Sequence, residues 1–111
     1  MPHLQLTATA TGTTASLSVA GEIDLASAPP LRRRIGSVLR DRPETFILDL
    51  TAVEFLDSTC LRMLIATSHR TTAEGIRLVV IRPVGPARRA LDLGGLDRLM
   101  TLVDSGIPVL H

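Results

Sequence analysis

The order in which hydrophobic periodicity changes along this chain predicts an α/β fold, a single domain around a mixed β-sheet. Near the N-terminus apolar residues recur at every second position. Beyond them, helical stripes alternate with short, almost continuous apolar runs. That order reads β-β-α-β-α-β-α-β over residues 1–111, and no linker, repeat or low-complexity tract divides it. At 111 residues and 45% hydrophobic content, folding buries roughly 65% of the unfolded surface, enough for one core. Only Phe46 and Phe55 are aromatic, so that core is aliphatic.

Leu4, Leu6 and Ala8 alternate with polar neighbours, as do Ala15, Leu17 and Val19. Two such runs joined across Thr11-Gly12-Thr13 predict a hairpin with one buried face. After Gly21-Glu22-Ile23-Asp24 the period lengthens. Leu31, Ile35, Val38 and Leu39 share one helical stripe, Ser27 is placed to cap it, and Pro29 and Pro30 fall in its first turn, where missing N–H groups do little harm. Residues 45–50 are apolar on nearly both faces, as a central strand is. A helix over 58–73 follows, with Leu61, Leu64 and Ile65 inward, and Glu74-Gly75 stops it. Ile76 to Ile81 is a second central strand, so strand, helix and strand form a right-handed crossover. Pro86 starts a third helix with Ala87, Ala90 and Leu91 inside and Gly94-Gly95 at its end. Leu99 to Val103 adds a short edge strand, and Gly106 and Pro108 prevent much beyond it.

Composition excludes several chemistries. All twelve basic residues are arginine, which removes a Walker-type phosphate loop, a Schiff-base enzyme and a pyridoxal site, since each needs lysine. A net charge of +1 gives no strong pull toward nucleic acid or an anionic membrane. One cysteine closes no internal disulfide, and no run of about 18 apolar residues spans a bilayer. The expectation is a cytoplasmic domain.

Chemistry concentrates in Val53-Glu54-Phe55-Leu56-Asp57-Ser58-Thr59-Cys60-Leu61, where a strand gives way to a helix. Asp57 or Ser58 in that position caps the helix by accepting a free N–H of its first turn. The same helix end, with its free amides and positive dipole, also suits a phosphate esterified to Ser58.

Asp57-Ser58-Thr59-Cys60-Leu61 resembles the Asp-Ser-(Ser/Thr)-Gly-Leu signature of STAS domains, in particular the bacterial anti-sigma-factor antagonists. Gly21-Glu22-Ile23-Asp24 matches the Gly-Glu-(Leu/Ile)-Asp segment those proteins carry after their second strand. Gly75-Ile76-Arg77-Leu78 and Gly95-Leu96 fall at the family's Gly-x-x-Leu strand entry and its late Gly-Leu. The resemblance covers residues 13–103, with four motifs in register. It implies a switch rather than an enzyme: no catalytic residue, no metal and no cofactor of its own. Unphosphorylated, such a protein binds an anti-sigma factor that is itself a serine kinase and so frees the sigma factor. The kinase, which holds the ATP, phosphorylates Ser58 and the complex parts; a PP2C-type phosphatase resets it. The resemblance makes Ser58 the acceptor, and Asp24, Asp57, Ser58, Thr59 and Arg62 the partner-binding residues, with neither nucleic acid nor membrane as a partner. Cys60 stands where the family has glycine, a larger residue at a place the kinase must approach.

Other readings compete. A Ser-His hydrolase fails on geometry, because His69 lies about 16 Å from Ser58 along the same helix. Cys60 and His69 are about 13 Å apart by the same arithmetic, too far for a thiol–imidazole pair. Cys60 therefore reads as a packed small side chain. No cluster of His, Cys and carboxylate has metal-ligand spacing. Arg32-Arg33-Arg34 and Arg88-Arg89 read as solvated helix faces, since no aromatic residue lies beside them to stack a base. Arg62, Ala66, His69 and Ala73 line the outer face of the second helix. Within the same fold, the alternatives are a non-phosphorylated STAS subunit of an ABC-type lipid-transport ATPase and a small-ligand-binding STAS module.

Overall fold

Thr11 and Thr14 face each other across a two-residue turn, and from that pair strands β1 (Leu4–Thr11) and β2 (Thr14–Ile23) run antiparallel in unbroken register. The computed structural model describes residues 4–105. Every later pairing is parallel: β2 with β3 (Thr45–Leu56), β3 with β4 (Arg77–Ile81), and β4 with β5 (Thr101–Val103), in the spatial order β1-β2-β3-β4-β5. Parallel neighbours require crossovers. Helix α1 (Ala28–Arg40) supplies the first, α2 (Ser58–Glu74) the second and α3 (Gly85–Leu93) the third. The mixed sheet and element order are those the periodicity predicts.

The core lies between one face of the sheet and the helices. Leu17 and Val19 from β2, Phe46, Leu48 and Leu50 from β3, and Val80 from β4 meet Leu31, Ile35 and Leu39 of α1, Met63 and Leu64 of α2, and Leu91 of α3. Ile47 and Val79, one residue out of phase, are also buried, which is why these two strands read as apolar on both faces.

Several boundaries differ from expectation, each for a local reason. β3 continues past Leu50 to Leu56, because β2 still offers it a partner through Ile23. Residues 96–98 form a 3-10 turn, so β5 begins at Thr101 rather than Leu99. Ala8 is exposed although it shares the sheet face of buried Leu17, because it borders an open hollow beside the end of α1. Ser27 stands at the N-cap of α1 but its hydroxyl donates to Glu22 O (2.7 Å) instead of capping. Leu64 is buried as expected, and Leu61 and Ile65 pack against the core while half-exposed; Cys60 and Met63 also go inside, along with Thr67, Ser68 and Thr71. Those hydroxyls are satisfied: Thr67 donates to Met63 O, Thr71 to Thr67 O and Ser68 to Leu99 O. α2 stops at Gly75, whose φ of 72° few other residues adopt, while its N–H reaches Thr71 O and Thr72 O. Arg88 is half-buried rather than solvated. It pairs with Asp92 and Asp104, and Arg82 joins both, tying β4 and α3 to the residue after β5. Gly106 and Pro108 lie outside the described residues.

Candidate functional site

β2 and β3 end side by side, and the loops that leave them form the site. Ile23 faces Leu56 at the last pair of the ladder, and the Asp57 N–H donates to Ile23 O at 3.2 Å. The Asp24–Ser27 loop is thereby held against the start of α2.

Of the two candidates for the cap of α2, Asp57 takes the position. Its backbone is extended (φ −120°, ψ −170°) and Oδ1 accepts the Thr59 N–H at 2.8 Å. Its carbonyl accepts the N–H groups of Cys60 (3.0 Å) and Leu61 (3.3 Å), which starts the helix. Ser58 is therefore relieved of capping and stands exposed as the first helical residue. Thr59 is 8% exposed and Cys60 1%, so both side chains turn inward. Burial, together with the negative Asp57 beside it, pushes the Cys60 thiol up to about 12. The inward turn corrects the expectation for Cys60: it presents no bulk to an approaching protein. Arg62 is exposed one helical turn beyond Ser58, on the outer face with Ala66, His69 and Ala73.

Asp24 is half-buried, and its Oδ1 accepts the Ser27 N–H (2.9 Å) while its own N–H donates to Ser27 Oγ (3.0 Å). It therefore shapes the loop it belongs to, a structural task that its polar setting alone did not predict. The site also contains residues that sequence reasoning missed. Leu25 is 75% exposed in the same loop, and Phe55 is 49% exposed just before Asp57. Phe55 faces outward because the β2–β3 register shifts between Gly21 and Glu22, leaving Glu54 as an extra residue on β3. Glu22 and Glu54 are exposed beside them. Gly94, at the end of α3, lies so close to Leu61 that a Cβ there would stand 3.2 Å from its methyl groups. Its neighbour Leu93 is 83% exposed at the end of α3, beside Arg88, Arg89 and Asp92. A single sequence carries no pattern for such residues, since exposure breaks the very periodicity by which apolar positions are recognised.

Among the described residues, no group of three or more His, Cys, Asp or Glu side chains could hold a metal ion, and no helix is long and apolar enough to cross a membrane. What the arrangement offers is one accessible hydroxyl at a helix N-terminus, flanked by exposed apolar side chains and carboxylates.

Comparison with known proteins adds four findings. The model of the STAS domain family matches residues 5–106. The chain is 41% identical over 88 residues to the anti-sigma-F factor antagonist RsfB of Mycobacterium tuberculosis, covering 79% of this chain and 71% of that one. It is similar to the crystal structure of an anti-sigma factor antagonist from Mycobacterium paratuberculosis, with a TM-score of 0.82 and 37% identity over 96% of this chain and 87% of the other. The phosphorylated form of the Bacillus cell fate determinant SpoIIAA shares the fold, at a TM-score of 0.68 and 20% identity over 92% and 90% of the two chains.

Proposed function

Because the chain belongs to the STAS domain family, we propose that it acts as an anti-sigma factor antagonist, controlled by phosphorylation of Ser58. In this reading it binds an anti-sigma factor that is a serine kinase through the surface around Ser58. The kinase transfers the γ-phosphoryl group of its own ATP to Ser58 Oγ, the bond from the γ-phosphorus to the bridging oxygen breaks to leave ADP on the kinase, the hydroxyl proton passes to solvent, and the complex dissociates. A PP2C-type phosphatase returns the chain to its binding form.

The observation that carries the reading is the division of labour among adjacent residues. Asp57 caps, Thr59 and Cys60 pack, and Ser58 alone of the four is exposed. That arrangement favours Ser58 over Thr59 as acceptor. Leu25 and Phe55 supply apolar area for a partner to cover, and Glu22, Asp24, Glu54 and Asp57 give that surface a negative rim suited to arginine or lysine. Arg62 is the one cation proposed within the interface.

Electrostatics then makes the modification a switch. A phosphoserine adds about −1.5 to −2 charges. Its own domain tolerates them, since the helix dipole favours an anion at this end by roughly 0.3–1 kcal/mol. Burying that charge against a partner, among carboxylates, costs several kcal/mol, about a hundredfold or more in affinity. The test is calorimetric titration of an anti-sigma factor kinase from the same cell. Ser58→Ala is expected to bind and to resist switching off by ATP. Ser58→Asp is expected to bind weakly with an unchanged circular dichroism spectrum. Equal affinities for the two folded variants would leave Ser58 without a switching role.

A further inference from the structure

Among the described residues, the outer edge of β1 carries none of the devices that keep sheet edges apart. Residues 4–11, Leu-Gln-Leu-Thr-Ala-Thr-Ala-Thr, contain no charge and no proline, and their pairing with β2 runs through eight residues without a bulge. The opposite edge, β5, is three residues long and ends against the Arg82–Asp104 ion pair. Of the two edges, β1 is the one long and uniform enough to template another strand.

The hairpin dictates which backbone groups are free. A two-residue turn closes on a pair that exchanges both hydrogen bonds, here Thr11 and Thr14, and such pairs then recur at every second residue. Gln5, Thr7, Thr9 and Thr11 therefore direct their N–H and C=O groups to β2. Leu4, Leu6, Ala8 and Ala10 direct theirs outward. Ala8 and Ala10 are also exposed, bordering an open hollow of about 380 Å³ lined by Ala15, Val38, Arg42 and Pro43 at the end of α1.

We infer that two copies of this chain associate by antiparallel pairing of their β1 edges about a two-fold axis at Thr7, joining their sheets into one. In that register Leu4 faces Ala10 of the second copy and Leu6 faces its Ala8, so all four outward-directed residues find partners. Apolar meets apolar on the helix side of the sheet, and Gln5 meets Thr9 on the other. The leucines of each copy come to lie beside the alanines that border the hollow of the other. The strand matches itself because it alternates and because it is uncharged; a charged peptide would find no counter-charge along it. A two-fold interface of this kind is closed and stops at two chains. Since Leu4 pairs with Gly21, at the β2 end that leads to Asp24, the two-fold places the two Ser58 surfaces at opposite ends of the joined sheet. Both stay open.

Sedimentation equilibrium of the full chain, from about 1 to about 200 µM, tests this. The mass is expected to rise from one chain to two. Thr7 is exposed, so Thr7→Glu leaves the monomer folded while setting two carboxylates opposite each other on the axis. It is expected to weaken association by about fivefold or more, and an equal mixture with Thr7→Arg to restore it. Ala8→Pro removes an outward N–H without touching the bonds to β2 and is expected to abolish pairing. Circular dichroism melts report whether each variant remains folded. A single-chain mass at every concentration overturns the inference, and so does a dimer whose affinity Thr7→Glu leaves unchanged.

Discussion

Replacing Asp57 separates the two ways in which this residue can hold the start of α2. Its Oδ1 accepts the Thr59 N–H at 2.8 Å, and its negative charge sits at the positive end of a seventeen-residue helix. Alanine removes both contributions. The lost cap costs about 1 kcal/mol and the lost charge about 0.3–1 kcal/mol, so Asp57→Ala is expected to destabilise the domain by about 1.5–2 kcal/mol. Asparagine keeps an acceptor of the same shape and loses only the charge, at about 0.3–1 kcal/mol. At about 5 °C per kcal/mol for a domain of this size, the midpoints should fall by about 7–10 °C for alanine and about 2–5 °C for asparagine. Thermal melts and urea titrations measure this without knowledge of any partner. Partner affinity should follow the same ranking, because a frayed first turn no longer presents Ser58 in one conformation. An Asp57→Ala variant as stable as the parent would refute the cap. Equal losses for the two variants would mean that charge matters and the hydrogen bond does not.

Two further outcomes follow from titratable groups. Burial and Asp57 push the Cys60 thiol up to about 12, so a thiol reagent near pH 8 should label the native chain only as fast as it opens, and fully once it is denatured; complete labelling within seconds would place the thiol at the surface. The Asp104 carboxyl is held below its ordinary value, first by its hydrogen bond from Arg82, against a smaller opposing effect of desolvation and with added attraction from Arg88 and Arg82. A lowered folded-state value stabilises the fold above the ordinary carboxylate range and is lost as the pH falls through the lowered value. The gap in urea midpoint between the parent and Asp104→Asn should therefore be widest near neutral pH and shrink as the pH falls through the lowered value. A constant gap would remove the ion pair from the explanation.

Elements whose burial follows a simple period were legible in the sequence. The Leu31–Ile35–Leu39 stripe of α1 and the alternation of Ala15, Leu17 and Val19 in β2 each place one clean apolar face on the core. α2 was legible in its extent but only in part in its inward face: Leu61, Leu64 and Ile65 meet the core, but Thr67, Ser68 and Thr71 are also buried, with their hydroxyls bonded to carbonyls. A polarity pattern scores those positions as surface. The last turns of β3 were hidden for a different reason: the register shift near Gly21 rotates Phe55 outward, and a bulge depends on the neighbouring strand. At the site, the residue types at the α2 start restricted the cap to Asp57 or Ser58, and only the backbone geometry decided between them. Leu25 and Phe55 remained unread because an exposed apolar residue obeys no folding rule.

Under the function proposed for Ser58, the contrast between Asp57 and Ser58 explains how one helix end would serve stability and regulation together. A side chain that caps is committed: removing or modifying it reaches the fold directly. An N1 residue has no such duty, because its own N–H is among those the helix leaves unpaired and its side chain points away from the core. The proposed modification at Ser58 would therefore act on whatever approaches the surface while Asp57 continues to hold the turn. The inward packing of Thr59 and Cys60 on the following positions anchors that turn to the core, so added charge has little leverage to unwind it. On the proposed reading the surface gains negative charge while the scaffold beneath it stays the same. That separation requires a cap one residue before the proposed acceptor, and on that reading the adjacent aspartate and serine cannot exchange places. With Asp57→Ser and Ser58→Asp combined, a serine would still cap the helix, but the exposed position after it would carry a permanent charge where a reversible one is required.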